Sequence, residues 1–202
     1  MKRNGTGMML AGTVLILAAA GLTIYNLQES DKAEVSSTNV VNQLELHTAM
    51  EVSTEYVEIH PQPDYLRFPD MEMPMVAVEE QKYIGTLQIP RLGLELPVIS
   101  EWSEEALKTA PCRYQGSAYS GRLIVMAHNY DSHFGRLHKL RPEDDVSFTD
   151  IEGNLFTYEV VDLEEIPGTD VESMLAGEWD LTLFTCTYGG QKRVTVRCVS
   201  VE

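Results

Sequence analysis

Cysteine is scarce in this sequence. The chain of 202 residues contains only Cys112, Cys186 and Cys198, and none of them forms a Cys-x-x-Cys pair. Three scattered thiols are too few for the disulfide framework of a small secreted domain, and they lack the paired spacing of a zinc site. Cys112 and Cys198 are compatible with one disulfide bridge or with two buried thiols, and either case leaves Cys186 unpaired.

Basic residues are also few. Lys and Arg number 15 against 31 Asp and Glu, which gives a formal net charge of −16. Such a surface repels phosphate backbones, so we expect no nucleic-acid partner. No internal repeat is visible. His128, His133 and His138 do not share one helical face, so we expect neither a metal site nor a cofactor.

One apolar run stands out against this polar background. Residues 8–27 contain no charged residue and are long enough to span a bilayer as a helix. Basic residues precede the run and acidic residues follow it, so residues 1–7 are expected in the cytoplasm and the rest outside the cell. We therefore predict a single-pass protein of the cell membrane. A cleavable signal peptide is the alternative, since Ala18-Ala19-Ala20 resembles a cleavage site, although the run continues to Leu27.

Residues 28–78 have a different composition, with 10 acidic and 2 basic residues. The stretch 33–59 is polar and compatible with partial helix, whereas prolines between Pro61 and Pro74 interrupt any continuous helix or strand. Repulsion between the carboxylates favours an extended chain. We predict a spacer that holds the following domain away from the membrane.

Residues 79–202 carry the pattern of an all-β domain. Short apolar segments recur between turn residues, which is typical of a small barrel or sandwich. Segments 146–150 and 155–161 flank a Glu-Gly-Asn turn as in a hairpin, and 123–127 is a continuous apolar run consistent with a strand buried on both faces. Short helices are expected after Ser103 and from Asp170 onward.

Three reactive side chains fall at the ends of predicted strands. Cys186 closes one apolar strand, Arg193 opens the next one after a Gly-Gly turn, and His128 follows the strand 123–127. A thiolate is a strong nucleophile, a histidine can hold it and protonate a leaving amine, and a guanidinium can stabilise an oxyanion. The pattern points to a cysteine transpeptidase that works through a thioester.

Each of these residues also has a purely structural interpretation. A cysteine in an apolar strand is more often a core residue, and a histidine after a buried strand is more often a structural one. Arg197 lies four residues beyond Arg193 and on the same strand face, so spacing prefers Arg193 only because it is closer to the turn. Spacing alone leaves both interpretations open.

The motif at the cysteine resembles a known family. Thr182-Leu183-Phe184-Thr185-Cys186 is similar to the T-L-x-T-C motif of the sortases, membrane-anchored transpeptidases of Gram-positive cell surfaces. Arg193-Val-Thr-Val resembles the arginine that opens their last strand. Ala127-His128-Asn129 resembles their Gly-His-Asn site, with alanine in place of glycine. Ile84-Gly85-Thr86-Leu87-Gln88-Ile89-Pro90, followed by Leu96-Pro97-Val98, is similar to their opening strands.

The resemblance implies a fold and a set of roles. The fold would be all-β, an eight-stranded sortase-type β-barrel with short helices, preceded by the transmembrane helix. Cys186 would be the nucleophile, His128 the general acid and base, and Arg193 the oxyanion or substrate-positioning residue. Residues 165–181 would wall the substrate groove. The expected substrate contacts are the neighbours of these residues: Thr185, Asn129 and Thr187.

The resemblance also implies the substrates. A secreted protein with an LPxTG-like sorting signal would be cleaved, and its acyl group would pass to an amine of a peptidoglycan precursor such as lipid II, or to a pilin lysine. Two alternatives stay open: a cysteine peptidase of the same fold, and a membrane-anchored peptide-binding barrel without chemistry. An L,D-transpeptidase is disfavoured, because its histidine and glycine lie just ahead of the cysteine, where this chain has Leu183-Phe184-Thr185.

Overall fold

The computed structural model describes residues 4–54 and 62–201 of the chain. Within these residues, helices α1 (Asn4–Thr54) and α2 (Val171–Leu175) accompany nine strands. The strands are β1 (Val76–Val78), β2 (Gln81–Ile89), β3 (Leu94–Ile99), β4 (Cys112–Gln115), β5 (Leu123–Met126), β6 (Asp145–Asp150), β7 (Leu155–Pro167), β8 (Leu181–Cys186) and β9 (Lys192–Ser200).

Eight of these strands close into a barrel. Their order around it is β2-β3-β4-β5-β8-β9-β7-β6, and β6 closes the ring by pairing with β2. The pairs β3–β4 and β5–β8 are parallel, and the other pairs are antiparallel. Closure depends on Gly85, where a Cβ would collide with the carbonyl oxygen of Thr149. The prediction of an eight-stranded barrel with an apolar N-terminal helix is confirmed.

The barrel core follows from the alternation of side chains along each strand. On β5, Leu123 and Val125 are fully buried inside the barrel, whereas Ile124 and Met126 point outward and are half-buried. The prediction of a strand buried on both faces is therefore only partly met. The outer face is covered by a second, smaller apolar cluster rather than by a full layer.

The short elements predicted from local signals are present. Strands β6 and β7 form the predicted hairpin, with Thr149 opposite Leu155. Helix α2 begins after Asp170, whose carboxylate accepts a hydrogen bond from the Ser173 backbone N–H at 3.0 Å. The Ser103 hydroxyl likewise accepts from the Ala106 N–H at 3.0 Å, but only a 3₁₀ turn, Ala106–Lys108, follows it.

The first half of residues 28–78 is helical as far as Thr54, in line with the partial helix expected for 33–59 and unlike the extended chain that its charge favours. Helix α1 continues from the apolar run to Thr54 without a break, and one face of it is buried against the barrel. The buried residues follow a helical period: Ala33, Ser37, Val40, Val41 and Leu44. Acidic residues of this part, such as Glu34 and Glu45, lie on the exposed face, where water screens their repulsion.

The second half of that segment belongs structurally to the barrel. Met73 is 1% exposed within the core, and β1 pairs with β2 across the boundary predicted at residue 79. The parts of the predicted cytoplasmic terminus and spacer at residues 1–3 and 55–61 lie outside the described residues.

Candidate active site

Three neighbouring strands, β5, β8 and β9, bring the predicted reactive residues to one place. Cys186 lies directly opposite Arg193 in the antiparallel β8–β9 pair. In the parallel β5–β8 pair Met126 lies opposite Phe184, and the Ala127 N–H donates to the Phe184 carbonyl at 3.2 Å. Pairing ends at Met126, and the same register continued by two residues would set His128 beside Cys186, at the spacing of about 5 Å between neighbouring strands.

The side chains of all three residues lie on the outer face of the barrel. Leu183 of β8 and Val194 of β9 belong to the core side, so Cys186 and Arg193 alternate outward. Opposite residues of an antiparallel pair have Cβ atoms about 5 Å apart, within reach of one reacting centre. The structure therefore brings together the thiol, the imidazole and the guanidinium that the sequence singled out.

Cys186 is the accessible thiol of the chain. It is half-buried, whereas Cys112 and Cys198 are fully buried free thiols in two separate apolar clusters. Burial raises the pKa of each of these two thiols to about 12, so both are protonated at neutral pH. Of the two alternatives for this pair, the structure shows buried thiols and no bridge.

His128 is held at the start of a tight loop. Its carbonyl accepts a hydrogen bond from the Phe134 N–H at 3.2 Å, and its ring lies 5.1 Å from that of Tyr130, centroid to centroid. Burial lowers the pKa of His128; the carboxylate of Glu104 opposes this shift and the ammonium of Lys108 adds to it. The lowered pKa favours the neutral form of the imidazole.

Thr185 joins the two strands that carry His128 and Cys186. Its side chain is 3% exposed, and its hydroxyl donates to the Ala127 carbonyl at 2.8 Å. Since Ala127 and Thr185 immediately precede the two reactive residues, this bond fixes the spacing between them. The hydroxyl predicted to contact substrate is thus occupied within the barrel.

Arg193 is half-buried, and only one of its nitrogens is engaged among the described residues. Nη1 donates to the carbonyls of Gly190 and Lys192 at 3.1 and 3.2 Å. The backbone of Gly168 packs against it, because a Cβ there would sit 3.0 Å from Nη1. The guanidinium is therefore held at the rim while donors remain for a ligand.

Arg197, the alternative to Arg193, is a buried structural residue at 2% exposure. Its Nε pairs with Glu164 at 2.8 Å, and its Nη1 and Nη2 donate to the carbonyls of Met174 and Ser173, each at 2.8 Å. These bonds attach α2 to the outer face of β8 and β9. The two arginines share a strand face, but Arg197 is buried and Arg193 stays at the rim, which spacing alone did not distinguish.

Helix α2 of the segment 165–181 packs on the outer face of β8 and β9; that this segment walls a substrate groove stays a prediction. The helix places Met174 over β8 and β9, where the Thr195 hydroxyl lies 3.7 Å from the Met174 sulfur. Ile166, Met174 and Phe184 form a buried apolar cluster there, and the half-buried side chains of Tyr114, Ile124 and Met126 pack against it. The ring of Tyr114 meets that of Phe184 edge-on at 5.4 Å.

Thr187 and Asn129 lie next to the reactive residues in different surroundings. The Thr187 N–H and hydroxyl both bond the Lys192 carbonyl, at 2.9 and 3.2 Å, and so close the turn between β8 and β9. Asn129 is half-buried in the loop after His128. This loop doubles back closely, and a Cβ at Gly135 would sit 2.5 Å from the Asn129 carbonyl oxygen.

Sequence reasoning missed the apolar residues next to the site and the neighbour of the histidine. Tyr114 and Met174 belong to the apolar cluster on the outer face, and the Tyr130 ring lies beside that of His128, yet none of them stood out in the chain. The N-cap signal at Asp170 was the available clue for Met174, since it predicts the helix that carries this residue. The other two depend on non-local packing.

An eight-stranded barrel with cysteine, histidine and arginine on adjacent strand ends defines a thiol enzyme suited to acyl transfer. The family model of the Sortase domain matches residues 87–201, which is more than half of the chain. The chain therefore belongs to the sortase family of cysteine transpeptidases.

Solved structures show the same fold. A sortase D5 transpeptidase of Clostridium perfringens superposes with a TM-score of 0.59 at 14% identity, over 83% of this chain and 99% of that chain. Sortase A of Corynebacterium diphtheriae, a lid mutant, gives 0.55 at 18% identity over 82% and 96%. Sortase C1 of group B Streptococcus pilus island 1 gives 0.54 at 20% identity over 88% and 91%. No curated protein sequence matches this chain.

Proposed function

We propose that this protein is a membrane-anchored transpeptidase that cleaves an LPxTG-like sorting signal and joins the acyl part to an amine. The observation that carries the proposal is the direct pairing of Cys186 with Arg193, with His128 on the next strand end. The half-buried apolar side chains of Tyr114, Ile124 and Met126 next to the site support it, because they can contact apolar side chains of a peptide.

In the first half-reaction the Cys186 sulfur attacks the carbonyl carbon of the scissile peptide bond. His128 accepts the thiol proton and passes it to the leaving nitrogen as the carbon–nitrogen bond breaks. The guanidinium of Arg193 stabilises the negative oxygen of the tetrahedral intermediate. The products are a thioester on Cys186 and a free amine at the new N-terminus of the released fragment.

In the second half-reaction an incoming amine attacks the thioester carbon. His128 accepts a proton from that amine, the carbon–sulfur bond breaks, and the proton returns to the Cys186 sulfur. The product is a new amide, and the enzyme is restored without any cofactor. We propose an amine of a peptidoglycan precursor such as lipid II, or a pilin lysine, as the acceptor.

We assign supporting roles to the three neighbouring residues. Thr185 acts by positioning, because its hydroxyl is already bonded inside the barrel. Asn129 and Thr187 are proposed substrate contacts: both border the reactive residues and neither is fully buried.

The membrane anchor is the apolar part of α1, which is long and apolar enough to cross a bilayer. We propose that its N-terminus is inside and the barrel outside the cell, from the charges around it.

The test uses the full chain in detergent, a labelled LPxTG peptide and an amine acceptor. The proposal predicts an amide product that contains both the peptide label and the acceptor. Cys186→Ala should abolish it, whereas Cys112→Ala, a matched change of a buried thiol, should not. Hydrolysis that is unaffected by the acceptor would favour the peptidase alternative, and turnover by Cys186→Ala would rule out both enzymes.

A further inference from the structure

In helix α1, the residues that contact the barrel begin directly after the apolar run 8–27. The large apolar side chains of residues 8–27 are all exposed, and burial begins at Glu29 and Ser30, directly after the run. Twenty helical residues rise about 30 Å, which equals the hydrocarbon thickness of a bilayer. The run therefore fits the bilayer core with its outer end at Leu27.

The first contacts beyond Leu27 are with the loop that follows His128. The Ser132 hydroxyl donates to the Ser30 carbonyl at 3.0 Å, and the two serine hydroxyls lie 3.2 Å apart. About two turns later, the Ser37 hydroxyl donates to the Thr109 carbonyl at 3.2 Å and lies 3.4 Å from Nε2 of His133. The catalytic loop is thus bonded to the helix just above the membrane span.

The distance along the axis of α1 from the end of the apolar run to its first contact with the barrel is short. Ser30 is three residues beyond Leu27, a rise of about 4.5 Å along the helix axis. The headgroup layer of a bilayer extends about 5 to 8 Å beyond the hydrocarbon. Ser132, which is bonded to Ser30, therefore lies at the level of the headgroups. Burial raises the pKa of Tyr130, and Glu29 and Tyr25 of α1 raise it further. Because such charge effects act over short distances, the Tyr130 ring lies close to the outer end of the apolar run.

We infer that α1 is a rigid strut that presses the barrel onto the membrane, with the surface of Tyr130, Asp131 and Ser132 facing lipid headgroups. The inference rests on the membrane anchor of the proposed function and adds a lipid-contacting surface to it. Because Tyr130 contacts His128, this surface lies next to the reacting groups. The active site then works at the bilayer surface, on substrates that are still attached to the membrane, and not at the end of an extended spacer.

The test places a single fluorescent label on this surface. Asp131→Cys in the Cys186→Ala protein offers one exposed thiol, since Cys112 and Cys198 are buried. The labelled full chain is reconstituted into phosphatidylcholine vesicles that contain a headgroup-linked energy acceptor. The inference predicts strong energy transfer and protection from a water-soluble quencher.

Two matched insertions test whether α1 holds the barrel rigidly at the membrane or only links it flexibly to the membrane. A Gly-Ser insert of about twelve residues, which spans roughly 20 Å as a flexible coil, is placed between Leu27 and Gln28 or between Glu58 and Ile59. The upstream insert should release the barrel, with loss of energy transfer. The downstream insert leaves the contact between span and docked helix intact, so energy transfer should be retained. Low transfer in the parent protein, or equal behaviour of the two inserts, would overturn the inference.

The same proteins with Cys186 intact separate this inference from the proposed function. Both insertion variants should cleave a soluble LPxTG peptide as fast as the parent. If none of these proteins cleaves the peptide, the proposed function fails, while energy transfer from the label still tests the membrane contact.

The intact mass of the reconstituted parent should include residues 1–27. Their loss would show a cleaved signal peptide and would overturn the inference.

Discussion

Cys186 and Arg193 lie directly opposite each other at the open ends of β8 and β9, and Arg197 lies opposite Thr182 on the same two strands. The first arginine stays half-exposed with donors to spare, while the second is buried and fully engaged. Strand β9 thus carries one arginine that we propose acts in the reaction, Arg193, and one that holds the fold, Arg197.

The different surroundings of the two arginines predict that Arg193→Gln mainly lowers activity and that Arg197→Gln mainly lowers stability. Arg193→Gln should remove most of the transpeptidation while leaving the melting temperature almost unchanged, because the side chain is at the rim. Arg197→Gln should destabilise the protein by about 3 kcal/mol, since it leaves Glu164 and the α2 carbonyls without their buried partner. Thermal melting and product formation, measured on the same samples, check both. Equal stability losses would contradict the assignment.

Thr185 is predicted to act by positioning. Thr185→Val keeps the shape of the side chain but removes the bond to Ala127, which should destabilise the protein by about 1 to 3 kcal/mol and lower the turnover of the folded enzyme. Thr157→Val is the matched control, because it removes a 2.8 Å hydroxyl bond to the Val201 carbonyl away from the site. If both variants retain full turnover at a temperature where both are folded, Thr185 only supports the fold.

The two charges near His128 should move its pKa in opposite directions. Burial has the larger effect and lowers that pKa; Glu104 opposes this shift, whereas Lys108 adds to it. Glu104→Gln should therefore lower the pKa of His128, and Lys108→Gln should raise it. Ring NMR titrations in the Cys186→Ala protein measure this without coupling to the thiol. Shifts of the same sign in both variants would show that these charges do not act on His128 directly.

His133 predicts a loss of stability in acid. This imidazole is fully buried, its Nδ1 has no hydrogen-bond partner, and burial together with His128 lowers its pKa from 6.5 to about 4. The folded state binds the proton less readily than the unfolded state, so stability is fully present above pH 6.5 and is lost as the pH falls toward 4. The total loss is roughly 3 kcal/mol.

His133→Phe should remove this part of the pH dependence. Unfolding midpoints of both proteins at pH 7 and pH 4.5 provide the measurement. The wild type should lose more stability between the two values than the variant does. A parallel decline in both proteins would assign the acid sensitivity to other groups.

Local signals in the sequence predicted much of the site. The strands of Cys186 and Arg193, the β6–β7 hairpin and the helix behind Asp170 all follow from turn residues, caps and alternation within a few positions. The motif at Cys186 then selected the family. These features depend on neighbours in sequence, which explains why the sequence alone was sufficient for them.

Features that depend on distant contacts were beyond such reasoning. The pairing of β2 with β6 and the contact of Arg197 with α2 join residues far apart in the chain. Helix α1 is the clearest case. Its sequence was compatible with partial helix and its acidic residues favoured an extended chain. The outcome depends on a buried face that packs against the barrel, formed by Ala33, Ser37, Val40, Val41 and Leu44.

The most direct test of the account is the mass of the enzyme during turnover. The full chain is mixed with a sorting peptide, quenched in acid at short times and analysed intact and after digestion. We predict an adduct on Cys186 equal to the acyl part of the peptide, which is absent in Cys186→Ala and disappears when an amine acceptor is added. Cleavage of the peptide with no adduct, at a rate unchanged by Cys186→Ala, would contradict the account.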